Sequence, residues 1–273
     1  EESIKEKIEE NFIKNVRSIF DKTMGGFGSA PKFPQPSVIM HILNLYQYNE
    51  NSFHDLKMAL YSLIAMQEGG INDQLGGGFF RYSVDDVWMI PHFEKMLYDN
   101  ACLLECYCKA YFITKDQTFF ITAKKIASWI TEEMQSSTGG FFSSIDADSA
   151  GGEGHYYIWD KFEIKENLDE SQYKIFSKHF GLNKNPNFEN KHHLYVSYDT
   201  KNDFESRIKN TDEGSIQKSI DILLKIRNKR KKPFTDEKIL VSWNALSINS
   251  LVEFYKVSKE IKYVDSAEKS ILF

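Results

Sequence analysis

The amino-acid sequence predicts an all-α protein whose helical hairpins form a ring, the (α/α)6 toroid. Two observations support this fold class: helical segments of two kinds alternate along the chain, and a Gly-Gly-Phe loop recurs, beginning at Gly25, Gly77 and Gly139. The spacing between successive loops matches the length of one helical hairpin with its loop. We expect strands only as short hairpins in loops, near 77–86 and 154–159.

The first kind of segment is apolar nearly all round, which predicts a helix that is buried on most sides. Three segments have this pattern: 37–48, 101–113 and 239–255. The second kind, at 53–66 and 119–134, has apolar residues on one face and predicts a helix that covers another. An inner ring of buried helices, wrapped by an outer ring of amphipathic helices, satisfies both patterns.

The Gly-Gly-Phe loops are expected to gather at one end of the ring. Each loop follows an outer helix and precedes the next buried one, so hairpins of similar length return all three loops to the same side. Paired glycines permit positive φ angles and tight reversals. This end of the barrel is therefore where we expect a functional site.

Composition limits the classes of partner. The 273 residues are 41% hydrophobic and 14% aromatic, enough for a large core. A net charge of -5 and a pI near 5.9 provide no basic surface for nucleic acid. No apolar run approaches the roughly 20 residues that cross a bilayer, so no membrane partner is expected.

Three cysteines, Cys102, Cys106 and Cys108, fall in one predicted helix and are expected to be buried small hydrophobic residues. The charged, amphipathic beginning of the sequence does not match a signal peptide. Free cysteines fit a reducing compartment, so we predict a cytoplasmic protein.

The segment 91–100, PHFEKMLYDN, predicts the first turns of a helix because Pro91 suits the first helical position. His92 and Glu94 would lie at the electropositive end of this helix, which favours a neutral imidazole. Lys95 and Asp99 are spaced to pair across one turn. Two interpretations stay open: acid/base chemistry at His92 or Asp99, and a structural pairing of charges.

The loop before this segment contains side-chain types that carbohydrate sites use. Carboxylates and arginine bind hydroxyls, aromatic rings cover the apolar face of a pyranose, and a general acid and base work across the ring. The loop supplies Asp73, Arg81 and Tyr82. Loop aspartates are also common turn residues, so a structural role remains the alternative for each.

A second acidic loop, 146–159, begins with Asp146 and Asp148 and also contains Glu153 and His155. Its start is similar to a calcium loop, but the twelfth position counted from Asp146 is Tyr157 where an EF-hand has glutamate. We therefore predict no metal here and expect the loop to form the opposite wall of a polar pocket. The pair His192–His193 is expected to lie at the surface or in a loop, because adjacent strand residues point to opposite faces.

Four segments resemble the family of thioredoxin-domain-containing proteins related to spermatogenesis-associated protein 20. They are GGFGSAPKFPQPS, GGINDQLGGGFFRYSVDDVWMIPHFEKMLYDNA, GGFFSSIDADSAGGEGHYYIWD and DEKILVSWNAL. Members of that family resemble a thioredoxin-like domain followed by an (α/α)6 barrel similar to six-hairpin glycosidases and N-acylglucosamine 2-epimerases. The resemblance implies that 1–273 is a partial barrel domain, with a thioredoxin-like domain upstream and further hairpins downstream. The chain contains no Cys-x-x-Cys motif, so redox activity cannot be assigned to it.

Residue types and resemblance together predict a pocket for a small sugar-like molecule, without cofactor or metal. The candidate catalytic residues are His92, Asp99 and Asp146. The candidate substrate-binding residues are Asp73, Arg81, Tyr82, Glu94, Tyr98, Asp148, Trp243 and Asn244. The expected chemistry is glycoside hydrolysis or epimerase-like proton transfer. The alternative is a non-catalytic binding or scaffold module that serves the thioredoxin-like domain in redox or protein-folding roles.

Overall fold

A computed structural model describes residues 4–48, 52–197 and 213–273. The helices in these ranges are α1 (Ile4–Ile19), α2 (Pro36–Tyr48), α3 (Phe53–Glu68), α4 (Leu97–Thr114), α5 (Gln117–Glu133), α6 (Lys161–Asn167), α7 (Glu170–His179), α8 (Glu213–Arg227), α9 (Val241–Ser258) and α10 (Lys262–Leu272). The strands are β1 (Tyr82–Ser83), β2 (Pro91–His92), β3 (Lys95–Met96), β4 (Ser144–Ile145), β5 (Asp148–Ser149), β6 (Gly152–Glu153) and β7 (Thr235–Asp236).

The helices form hairpins of an inner and an outer member. Inner helix α4 packs between α2 and α9, while α3, α5 and α10 pack against α2, α4 and α9, respectively. Sequence explains the difference between the two kinds. Helix α5 buries residues spaced three or four apart, such as Phe119, Ala123 and Ile126, whereas α4 buries positions around most of its circumference. The predicted difference is therefore confirmed for α4 and α5. It is wrong for α2 and α9, which bury only one face each, and Val241 and Leu246 of α9 are exposed.

A second, smaller hydrophobic cluster lies beside the hairpins. Helix α7 packs against α6 and α8, and Trp159, Phe176 and Leu223 are buried in the cluster. The sequence analysis predicted none of these three helices. Among the described residues, no helix combines the length and apolar character that crossing a bilayer requires.

The segment that begins at Pro91 is extended, so the prediction of a helix from Pro91 is wrong. Strand β2 pairs antiparallel with β1, and β3 pairs with β4, which in turn pairs with β7. Helix α4 begins only at Leu97. Backbone groups that a helix would have used are bound to distant segments; for example, the amide of Arg81 donates to the carbonyl oxygen of Glu94 at 2.8 Å.

The predicted loop strands are found in part. Strand β1 lies within 77–86, but the second hairpin consists of β5 and β6, just before 154–159. Within 154–159, Trp159 makes an isolated antiparallel bridge with His192. In the described residues the largest sheet has three strands, so the molecule is an all-α protein with small loop hairpins.

Candidate functional site

The three Gly-Gly-Phe loops form one layer over the N-terminal ends of the inner helices. Backbone hydrogen bonds in both directions join Lys32 of the first loop to Ser83 of the second, at 2.8 and 2.9 Å. Pairing of β3 with β4 joins the second loop to the third. Gly78 shows why glycine is needed: its φ is +74°, and a Cβ atom would lie 2.8 Å from the Trp129 ring.

Asp99, in the first turn of α4, is the titratable group of greatest interest in this layer. Burial, with a smaller contribution from the nearby Glu94 carboxylate, raises the pKa of Asp99 to about 7, although Arg81 and Tyr98 act in the opposite direction. The carboxyl oxygen Oδ2 is buried and has no hydrogen-bond partner among the described residues. A large fraction of Asp99 is therefore protonated near neutral pH.

Glu94 lies between a cation and an imidazole. Its Oε2 atom is 3.3 Å from Nη1 of Arg81 and 3.7 Å from Nε2 of His92. The Arg81 side chain is 40% exposed, so its guanidinium remains accessible to a ligand from solvent. A carboxylate, an arginine and a half-buried acid thus converge within one small region.

His92 lies on β2, so the predicted position at a helix N-terminus is wrong for both His92 and Glu94. Its Nδ1 atom is 2.8 Å from Oε1 of Glu153, and the ring stacks on Tyr82 with centroids 5.1 Å apart. The environment of the imidazole is therefore set by Glu153, Glu94 and Tyr82, and not by a helix dipole.

Aromatic rings border the same region. The Tyr98 ring lies 4.8 Å from the Trp243 ring, centroid to centroid, and so connects the first turn of α4 to that of α9. We call the following set the Asp99 cluster: Arg81, Tyr82, His92, Glu94, Tyr98, Asp99, Glu153 and Trp243. It combines acids, a base, an arginine and aromatic faces, which are the groups that bind and process polyhydroxylated molecules.

Asp73 lies apart from the cluster, in a buried ion network. Its carboxylate is 2.8 Å from Nζ of Lys95 and 2.7 Å from Nη1 of Arg227. The two cations hold the pKa of Asp73 far below its usual range despite burial, so the carboxylate stays ionised. The expected pairing of Lys95 with Asp99 is wrong, because the side chain of Lys95 is directed to Asp73 instead.

Burial lowers the pKa of Lys95 to about 8, although Asp73 opposes the shift. Arg227 keeps a raised pKa, since the attraction of Asp73 outweighs its burial. A cavity of ≈ 130 Å³ adjoins this network and is lined by Asp73, Lys95 and Arg227 among others. Two further cavities, of ≈ 470 and ≈ 310 Å³, are lined by other residues. The Asp99 cluster lines none of the three and lies more open, in the loop layer.

Three other candidates also lie outside the cluster. Asn244 is buried, and its amide binds the backbone of Phe141 and the carbonyl oxygen of Leu240. Asp146 and Asp148 are exposed; the backbone of Asp148 lies opposite Glu153 in the β5–β6 hairpin, but within the described residues neither aspartate side chain has a hydrogen bond or ion pair to the cluster. Their role as a wall of the pocket stays a prediction.

Of the two expected positions for His192 and His193, at the surface or in a loop, the structure shows the loop: the pair lies outside the helices and named strands, but not at the surface. Both are buried, and Nε2 of His193 lies 2.6 Å from the carbonyl oxygen of Gly70. Burial lowers the pKa of His193 to about 4, so the ring is neutral. Across the described ranges, no group of three or more His, Cys, Asp or Glu side chains is arranged to hold a metal ion.

Sequence reasoning missed one contact and one residue. Glu153 lies in the acidic loop that the sequence analysis singled out, but its contact with His92 spans 61 positions. Arg227 binds Asp73, which lies 154 positions earlier in the sequence. The residues next to Asp73 and Arg227 in the sequence do not indicate that the two side chains pair.

No protein-family model matches the chain. Curated relatives do match it: the chain is 34% identical to spermatogenesis-associated protein 20 of Mus musculus over 84% of its own length. It is 30% identical to the Homo sapiens protein over 84%, and 32% identical to the uncharacterized protein B0495.5 of Caenorhabditis elegans over 98%. The chain is homologous to part of spermatogenesis-associated protein 20. It spans only 33% of the mouse and human proteins and 41% of the worm protein.

Solved structures of similar fold identify the architecture of the chain. The glycoside hydrolase family 76 mannosidase Bt3792 of Bacteroides thetaiotaomicron superposes with a TM-score of 0.56 at 12% identity, over 99% of this chain and 54% of that one. A family 76 glycoside hydrolase from a bovine strain of the same species superposes with a TM-score of 0.58 at 10% identity. The match covers 97% of this chain and 41% of that one. An unsaturated glucuronyl hydrolase specific for heparin gives 0.50 at 12% identity, over 94% and 52%. At these identities the likeness shows the fold alone, and the predicted (α/α)6 toroid class is confirmed.

Proposed function

We propose that the Asp99 cluster binds a sugar-like ligand and that Asp99 donates a proton to it. The observation that supports this most strongly is the Asp99 carboxyl, which burial keeps partly protonated near pH 7 beside an accessible arginine. A general acid works best when its pKa lies near the working pH. A carboxylic acid that is protonated at pH 7 can donate to a glycosidic oxygen or to a carbonyl oxygen.

The neighbours of Asp99 supply the other parts of such a site. Glu94 carries the second carboxyl, 3.3 Å from Nη1 of Arg81. A carboxyl group with a raised pKa beside a second carboxyl group is typical of acid/base sites. Arg81 would bind ligand hydroxyls, and Tyr98 with Trp243 would cover the apolar face of a sugar ring.

The comparison with solved structures adds limited support, since folds host many unrelated functions. Two of the similar structures are family 76 glycoside hydrolases, one of them described as a mannosidase, and the third is a glucuronyl hydrolase. Both glycoside hydrolysis and epimerase-like proton transfer are compatible with a protonated Asp99 and a nearby base.

The openness of the cluster favours a second candidate function. Arg81, His92 and Glu153 have side chains that are 40%, 29% and 42% exposed, and enzymes usually exclude water from the reacting groups. A binding module that holds a sugar-like ligand without turnover would tolerate this exposure. In that case the region would serve a thioredoxin-like domain of the same protein as a recognition or scaffold unit.

The experiment is a screen of reducing sugars and aryl glycosides with the full-length protein, read as binding heat and as turnover. We compare the wild type with Asp99→Asn and with a control, Asp265→Asn, whose side chain is exposed at the start of α10. Turnover by the wild type and the control but not by Asp99→Asn supports the enzyme. Binding without turnover supports the second candidate, and no binding to any sugar by the wild type contradicts both.

A further inference from the structure

Glu153 makes a two-point contact with the strand that contains His92. One carboxylate oxygen, Oε1, lies 2.8 Å from Nδ1 of His92 and also accepts the backbone N–H of Phe93 at 3.1 Å. Glu153 lies at the end of the β5–β6 hairpin, so this contact joins the acidic third loop to the Asp99 cluster.

The chemistry of the two partners fixes the tautomer of the ring. An ionised carboxylate has only acceptor sites, so the proton of the His92–Glu153 hydrogen bond belongs to Nδ1. A neutral imidazole with its proton on Nδ1 has a free lone pair on Nε2. That atom lies 3.7 Å from Oε2 of Glu94, a distance at which neither group is committed to a hydrogen bond with the other.

We propose that Glu153 is a positioning residue that holds His92 with Nε2 as a proton acceptor facing the ligand. The proposal rests on the proposed function and adds the base that complements Asp99. A proton passes from a ligand O–H or C–H bond to Nε2, and the electron pair of that bond remains on the ligand. Asp99 gives its own proton to the oxygen that gains charge, and exchange with water restores both groups.

The groups around His92 are arranged for this role. Glu153 on β6 and Glu94 between β2 and β3 both stabilise the imidazolium that forms, and Arg81 moderates the charge of Glu94. Tyr82 on β1 stacks on the ring with an interplanar angle of 23°, which limits its rotation. The ring is thus held from two sides while its side chain remains 29% exposed.

The test is the protonation of the two His92 ring nitrogens, measured by NMR in the full-length protein with ¹⁵N-labelled histidine at neutral pH. A His92→Gln variant assigns the signals. We expect the wild-type proton on Nδ1, and we expect Glu153→Ala to shift the proton toward Nε2. Glu153→Gln restores the wild-type tautomer, because the N–H of Phe93 selects the amide oxygen at the Oε1 position.

A matched control uses His155, a second histidine of the acidic loop. Glu189 makes the corresponding contact with His155, at 2.7 Å from Nε2, so Glu189→Ala changes the His155 signals and leaves those of His92 unchanged. A wild-type His92 that carries its proton on Nε2, or a tautomer that Glu153→Ala does not alter, overturns the proposal.

Turnover of a sugar identified in the screen gives a second readout. Glu153→Ala should lower kcat by about tenfold or more with little change in KM, because it affects proton transfer rather than binding. An unchanged kcat overturns the proposal. A screen without any sugar hit contradicts the proposed function, whereas the NMR spectrum alone decides whether Glu153 fixes the tautomer.

Discussion

Asn100 and Asn244 occupy corresponding positions in α4 and α9, and each side chain holds a loop phenylalanine by both of its backbone polar groups. Asn100 accepts the N–H of Phe79 at 2.6 Å and donates to its carbonyl oxygen at 2.9 Å. Asn244 does the same to Phe141, at 2.7 and 3.0 Å. The similar sequences LYDNA and VSWNA therefore mark the same junction, where an inner helix receives its Gly-Gly-Phe loop.

Replacing either asparagine by alanine should destabilise the fold. Each change leaves a buried N–H and a buried carbonyl oxygen without their partner, which costs about 2–4 kcal/mol in the free energy of unfolding. Urea denaturation measures this cost. Asn167→Ala, on the exposed face of α6, is the control and should change stability by less than about 0.5 kcal/mol. Loss of sugar binding at unchanged stability would instead place Asn244 in the ligand site.

Asp73→Asn should be more destabilising than the change of any exposed acid. It leaves Lys95 and Arg227 buried together without their counter-charge, and breaking a buried ion pair in this way costs about 3–5 kcal/mol. Thermal or urea denaturation of the variant, beside the Asp265→Asn control, measures the effect. If Asp73→Asn unfolds like the wild type, the buried ion network does not contribute to the stability of the fold.

The stability of the wild type should depend on pH through Asp99. Its folded-state pKa is raised to about 7, so between about pH 4 and 7 the folded state binds more protons than the unfolded state. The contribution of Asp99 to the free energy of unfolding is thus fully present below pH 4 and is lost as the pH rises through 7. The slope is at most about 1.4 kcal/mol per pH unit.

Asp99→Asn removes this titration, so the stability of the variant relative to the wild type should rise from pH 4.5 to pH 7.5. Urea denaturation of both proteins at three pH values in this range provides the measurement. A difference that stays constant with pH would mean that Asp99 titrates in the folded state as it does in an unfolded chain.

Much of the fold could be predicted because it follows from local periodicity. The apolar pattern of 101–113 predicted the core of α4, and the one-faced pattern of 119–134 predicted α5. The start of α4 could not be predicted in this way. Pro91 suits a helix start, but pairing of β3 with β4, about 50 positions away in sequence, holds the segment extended until Leu97.

The sequence predicted which residue types form the site, but it predicted less well which of these residues lie together. Arg81, His92, Glu94, Tyr98 and Asp99 converge because they lie within one short stretch of the second loop and the helix that follows it. Asp73 comes from the same stretch, but its side chain lies outside the cluster because it pairs with Arg227 at the end of α8. Whether a loop carboxylate faces solvent or a buried cation depends on such long-range contacts, which spacing along the chain does not encode.

The central claim is that Asp99 acts on a ligand while Asp73 stabilises the loop layer. It is tested most directly by measuring turnover of the sugar identified in the screen, together with the melting temperature, for the wild type, Asp99→Asn and Asp73→Asn. We predict that Asp99→Asn loses turnover without a lower melting temperature, and that Asp73→Asn melts earlier but retains turnover in its folded fraction. The account would be contradicted if Asp99→Asn turned over the sugar as fast as the wild type does. It would also be contradicted if the wild type neither bound nor converted any sugar.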